Sequence, residues 1–69
     1  MATLMFFEEV LKDQGNKTSV ELEVGRSSYY DEDSIYFVID GKTVIINREQ
    51  AKRFVNAVTD VGSYLGLNK

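Results

Sequence analysis

The 69 residues include no cysteine, no histidine and no proline, and each absence removes a class of protein. Without cysteine there is no disulfide framework. Without histidine as well, the usual ligands of zinc and haem are missing, so neither a metal nor a cofactor is expected. The missing imidazole is also the base that would activate a serine or threonine nucleophile, and nothing in the sequence places a lysine beside Ser27 or Ser28 to replace it. Carboxylates do occur together, as Glu8–Glu9 and Asp31-Glu32-Asp33. Acid–base pairs that act across a substrate, however, come from separate walls of a cleft. A chain this short is expected to lack room for a cleft of the usual ~300 Å³ or more. The expectation is a protein that is not an enzyme.

Long apolar runs are missing too. Nothing approaches the roughly 18 consecutive apolar residues of a membrane-spanning helix. Glu8 and Glu9 interrupt the stretch where a signal peptide would need its apolar segment. An intracellular, cytoplasmic protein with no membrane contact is expected. With no proline, no low-complexity tract and no internal repeat, residues 1–69 read as a single domain without a linker.

What is present must therefore hold the fold by packing. A chain of this size buries only about 60% of the surface its unfolded form exposes. One small core rarely supplies more than roughly 3–5 kcal/mol, and with no cysteine or histidine neither a disulfide nor a zinc or haem site is expected to add to it. Oligomerisation or unusually good packing remains, and a homo-oligomer, at its simplest a homodimer, is expected. A 43% hydrophobic and 12% aromatic composition is enough for a folded domain. Net charge is −3 but unevenly placed. Residues 1–40 carry nine acids and three bases, and residues 41–69 carry five bases and two acids. Phosphate binding needs clustered Lys and Arg, so this balance argues against direct nucleic-acid binding.

The clearest element is a hairpin over Ser34–Asn47. Two β-rich runs flank Asp40-Gly41, a dipeptide suited to a two-residue type I′ turn. That turn sets Phe37 opposite Val44 and Ile35 opposite Ile46, so one face collects Ile35, Phe37, Ile39, Val44 and Ile46. The other face carries Tyr36, Val38, Thr43 and Ile45, where a sheet open to water would alternate with polar residues. Something must cover it, either the N-terminal segment or another chain.

Thr18–Val24 alternates, with Val20, Leu22 and Val24 inward and Ser19, Glu21 and Glu23 outward, as an edge strand would. Gly25–Asp33 reads as a polar loop. Asn47 is a good N-cap with Gln50 at the third helical position. From there Ala51, Phe54, Val55, Val58, Val61 and Leu65 form an apolar stripe at helical spacing. Gly62 and Gly66 loosen or end that helix, which should pack on the face of Ile35, Phe37 and Val44.

At the N-terminus, Leu4, Phe7, Val10 and Leu11 fit one helical face, and Gly15-Asn16 resembles a helix C-cap. The same segment also reads as a strand paired to Thr18–Val24 through Asp13–Asn16. The fold class is α+β. The expected order is α-β-β-β-α, a three-stranded antiparallel sheet with N- and C-terminal helices, and ββββα is the alternative.

Three groups of residues are candidates for contact. Tyr29 and Tyr30 precede Asp31, Glu32 and Asp33, and exposed tyrosine is a favoured interface residue. Together they would offer aromatic anchors beside a negative patch to a partner with a basic surface. Asp31-x-Asp33 alone falls short of a calcium loop. Gly25-Arg26-Ser27-Ser28 lacks the continuation of a phosphate-binding loop. Tyr36, Val38 and Ile45 are the candidate self-association surface. Arg48, Lys52 and Arg53 make a basic strip that is a possible nucleic-acid contact, with Glu49 expected to pair with Arg53 at i,i+4.

The succession of Thr18–Val24, an acidic loop, the Asp40-Gly41 hairpin and Asn47-Arg-Glu-Gln-Ala51 opening an amphipathic helix resembles small acidic accessory proteins of tailed bacteriophages. Such proteins take over host functions or counter host defence by binding one bacterial protein stoichiometrically. The α-β-β-β-α order is also similar to a small anti-CRISPR inhibitor that mimics DNA with acidic loops. The resemblance implies an inhibitor or modulator acting on a host protein, in the host cytoplasm.

Overall fold

The computed structural model describes residues 2–68. Four strands and one helix follow in order: β1 (Thr3–Lys12), β2 (Ser19–Ser27), β3 (Ser34–Ile39), β4 (Lys42–Ile45) and α1 (Arg48–Leu65). The strands form a four-stranded antiparallel meander, each paired with its sequence neighbour, in the order β1-β2-β3-β4. The fold is α+β.

The expected N-terminal helix is replaced by a strand, so the sheet has four strands rather than three, and the alternative order ββββα is the one formed. The register explains why the segment imitates a helix. Phe7 faces Val24, and Leu4 faces Arg26, with a β-bulge between Met5 and Phe7. The extra residue at the bulge brings Leu4 and Phe7 onto one face despite their odd spacing, which reproduces the three-residue step of a helix. Gly15-Asn16 is correspondingly a hairpin turn and not a C-cap. The Asn16 amide donates to the Asp13 carbonyl (2.8 Å), the Gly15 amide donates to the Asp13 carboxylate (2.8 Å), and Asn16 takes a left-handed φ of 59°. Asparagine tolerates that conformation in either setting.

Two further expectations change with the added strand. β2 lies between β1 and β3, not at an edge. It also runs through Gly25 to Ser27, so the polar loop is confined to 28–33. Gly25 sits opposite Tyr36 and beside the bulge, paired with Met5. A side chain there would meet the Leu4 carbonyl and, at 2.8 Å, the Tyr36 ring. Glycine in mid-strand marks this close approach rather than a strand end.

The β3–β4 hairpin has the expected register, Phe37 opposite Val44 and Ile39 opposite Lys42. Its turn places Asp40 at φ 49° and Gly41 at φ 85°. The helix is capped as expected: the Asn47 side chain accepts from the Gln50 amide at 2.9 Å. Gly66 ends it at φ 73°, and the Leu67 amide donates back to the Gly62 carbonyl at 2.8 Å. Helix and sheet meet chiefly at β3, where the Phe37 and Phe54 rings pack edge to face with centroids 5.0 Å apart.

This contact is narrow for an 18-residue helix. Among the described residues, the only buried apolar side chains are Tyr36 and Ala51. The molecule measures 40 × 27 × 18 Å with a radius of gyration of 13.5 Å, where a compact domain of this length would have about 11 Å.

Candidate interaction surfaces

The loop joining β2 and β3 is held at both ends. At its start the Ser28 amide donates to the Ala2 carbonyl at 2.9 Å, and the Tyr29 amide donates to the Oγ of buried Ser27 at 3.2 Å. At its end Arg26 Nη1 lies 3.3 Å from Asp33 Oδ2. Arg48 Nη1 donates to the Asp33 carbonyl at 3.1 Å, and the Arg48 amide points at the Glu32 carboxylate at 3.4 Å. Glu32 thus sits where the positive end of the helix favours an anion. Asp33 and Glu32 are occupied within the chain, and Asp31 makes no ion pair among the described residues. Tyr29 and Tyr30 pack edge to face, centroids 4.9 Å apart, and remain 55% and 62% exposed.

The acidic loop and the basic strip, separate in sequence, therefore adjoin in space. Arg48 belongs to both. Lys52 follows it along a groove between helix and sheet, whereas Arg53 is not among the residues lining that groove. The expected Glu49–Arg53 ion pair does not form; Arg26–Asp33 is the pair observed among the described residues. In the sequence Arg26 stands in what reads as a loop. Its role follows from β2 continuing past Gly25, a signal available only through strand pairing.

The sheet face away from the helix holds Tyr36, Val38 and Ile45. Glu23, expected to point into solvent, shares this face and accepts a hydrogen bond from the Tyr36 hydroxyl. That bond, reinforced by burial and by the charges of Glu23 and Glu8, pushes the Tyr36 phenol up to about 12. The sheet curls enough that Thr3 at one edge and Thr43 and Ile45 at the other line a single hollow of about 350 Å³, with Tyr29 at its rim. Tyr36 is only 4% exposed, while Val38 and Ile45 are half-buried. Thr3 of the N-terminal strand and Tyr29 of the loop are the residues outside β2–β4 that reach this hollow.

The opposite face is open. Between α1 and β2 runs a groove of about 920 Å³, floored by Val24, Ile35 and Ala51 and flanked by Phe6 and Val55. This corrects the expectation that so short a chain has no room for a cleft. Its titratable lining is Arg26, Asp33, Arg48, Glu49 and Lys52. Asp33 is paired with Arg26, and Glu49 stands on the helix side of the groove. Buried Ser34 Oγ, also in its lining, has no hydrogen-bond partner among the described residues.

No helix among the described residues is long and apolar enough to cross a membrane. In comparison with known proteins, no family model, no curated protein and no solved structure matches the chain.

Proposed function

We propose that this chain is a non-enzymatic binding protein of the phage type its sequence resembles, an inhibitor or modulator that occupies a basic surface of a host protein. The contact residues are Tyr29, Tyr30 and Asp31, with Glu32 and Asp33 shaping the loop. The observation that carries this reading is a pair of exposed tyrosines on a loop tied down at both ends. A surface already fixed in one shape loses less entropy on binding. Rigid aromatic anchors beside negative charge suit a basic, partly apolar partner. Glu32 and Asp33 serve mainly to hold the loop, so the anchors rather than all three acids carry recognition.

The test is affinity capture from bacterial lysate over a salt series, with mass spectrometry of what is retained. The comparison is between the wild-type chain and a Tyr29→Ser/Tyr30→Ser/Asp31→Ser variant, which leaves the clamp intact. The expected result is one basic protein retained at low salt by the wild type, released as salt rises, and lost by the variant. Retention of the same protein by the variant defeats the assignment. A steep, salt-dependent mobility shift with DNA that disappears in Arg48→Ala/Lys52→Ala/Arg53→Ala would move the function to the basic strip instead.

A further inference from the structure

We infer that the open face between α1 and the sheet is the interface with a second copy of this chain, in a closed two-fold dimer. The C-terminal half of each helix would lie in the other protomer's groove. This goes beyond the loop reading and does not depend on it.

The argument begins with area. The chain exposes 5825 Å², whereas a compact monomer of 7.8 kDa exposes about 4,400 Å². The excess, roughly 1,400 Å², exceeds the ~800 Å² per partner of a standard protein interface and falls in the range of obligate dimers. A 69-residue chain with no cysteine and no histidine has neither a disulfide nor a zinc site to offset that exposure.

Location decides the occupant. The helix is about 27 Å long by its rise, and Ala51 and Phe54 in its first half meet the sheet. Val58, Val61 and Leu65 continue the same stripe yet stay 52%, 57% and 58% exposed. One protomer thus offers an apolar groove with no helix in it and an apolar helix segment with no groove beneath it. A two-fold operation brings each to the other, and a self-complementary patch is what an isologous dimer requires. Charge agrees with this seating. Three bases and two acids line the groove, and the last helical turn, the negative end of the helix dipole, carries no base.

The experiment is sedimentation equilibrium and light scattering of the full chain over a concentration series, beside a Val58→Asp/Val61→Asp variant. The expected mass for the wild type is twice 7.8 kDa, and the variant should weaken association by at least about 100-fold. Because charges on the helix can also unfold a protomer, the wild-type thermal midpoint is read as well. In a dimer it rises with protein concentration. A monomeric wild type with a midpoint indifferent to concentration overturns the proposal. A dimer that survives the double substitution places the interface elsewhere, for instance on Tyr36, Val38 and Ile45. Mass that climbs without a plateau means an open chain of contacts, and also overturns the closed form. The Tyr29→Ser/Tyr30→Ser/Asp31→Ser variant should keep the wild-type mass, so failure of the loop reading and failure of this one are distinguishable.

Discussion

The two faces of the sheet are finished in different ways. On the face away from the helix, the chain seats Tyr36 over Gly25, pairs its hydroxyl with Glu23 and curls both sheet edges around the hollow. On the helical face, Phe37 and Phe54 meet edge to face and Ala51 is buried, while Phe6, Phe7 and Val44 remain exposed. The face that carries a helix is thus the less complete of the two. An amphipathic helix closes a core only as far as the sheet beneath it extends.

Breaking the finished face should cost most. Tyr36→Ala removes a buried ring and leaves Glu23 without its donor; about 3–4 kcal/mol of stability is expected to be lost, seen as a lower urea midpoint at every protein concentration. Gly25→Ala strikes the same place from the other side, forcing a methyl against the Leu4 carbonyl and the Tyr36 ring. A loss of about 2 kcal/mol by the same measurement is expected.

On the open face, Phe54→Ala should cost roughly 1–2 kcal/mol at low concentration, since Phe54 is already partly solvated. That loss should grow as concentration rises, whereas the cost of Gly25→Ala should not. Smallest is Arg26→Ala, which removes an exposed ion pair with Asp33 and should cost less than about 1 kcal/mol.

Alkaline titration sharpens the same contrast. The folded protein holds the Tyr36 proton more tightly than the unfolded chain, whose phenol titrates at 10.0. Between pH 10 and about 12 the native state therefore binds more protons. Stability from this pair is fully present below pH 10 and falls as pH rises through that window. Tyr36→Phe should remove both the fall and the delayed tyrosinate absorbance step near pH 12. A delayed step that persists in Tyr36→Phe would show that another group is responsible.

The hairpin and helix were legible because their signals are local. Asp40-Gly41 determines the turn, the turn determines the register, and the pattern of Ile35, Phe37 and Val44 follows. Asn47 and Gly66 bracket the helix by backbone chemistry alone. The first strand was ambiguous because a bulge disguised period two as period three, and because Asn16 suits a left-handed turn at either a helix end or a hairpin. Alternation alone puts Glu23 in solvent; only pairing with β3 brings it to the Tyr36 hydroxyl.

The candidate loop shows the same division. Its exposed tyrosines are adjacent in sequence and could be picked out there. The clamp joins Arg26, Asp33 and Arg48 from three elements, and no spacing rule connects them.

Sequence alone thus determined the α+β class, the β3–β4 register and both helix caps, since each depends on residues a few positions apart. Tertiary structure decided the fate of the N-terminal segment, the burial of Tyr36, the division of labour among the loop acids and the open face beneath the helix. Those outcomes arise when segments distant along the chain compete for the same hydrogen bonds and the same apolar surface, and that competition is settled only in three dimensions.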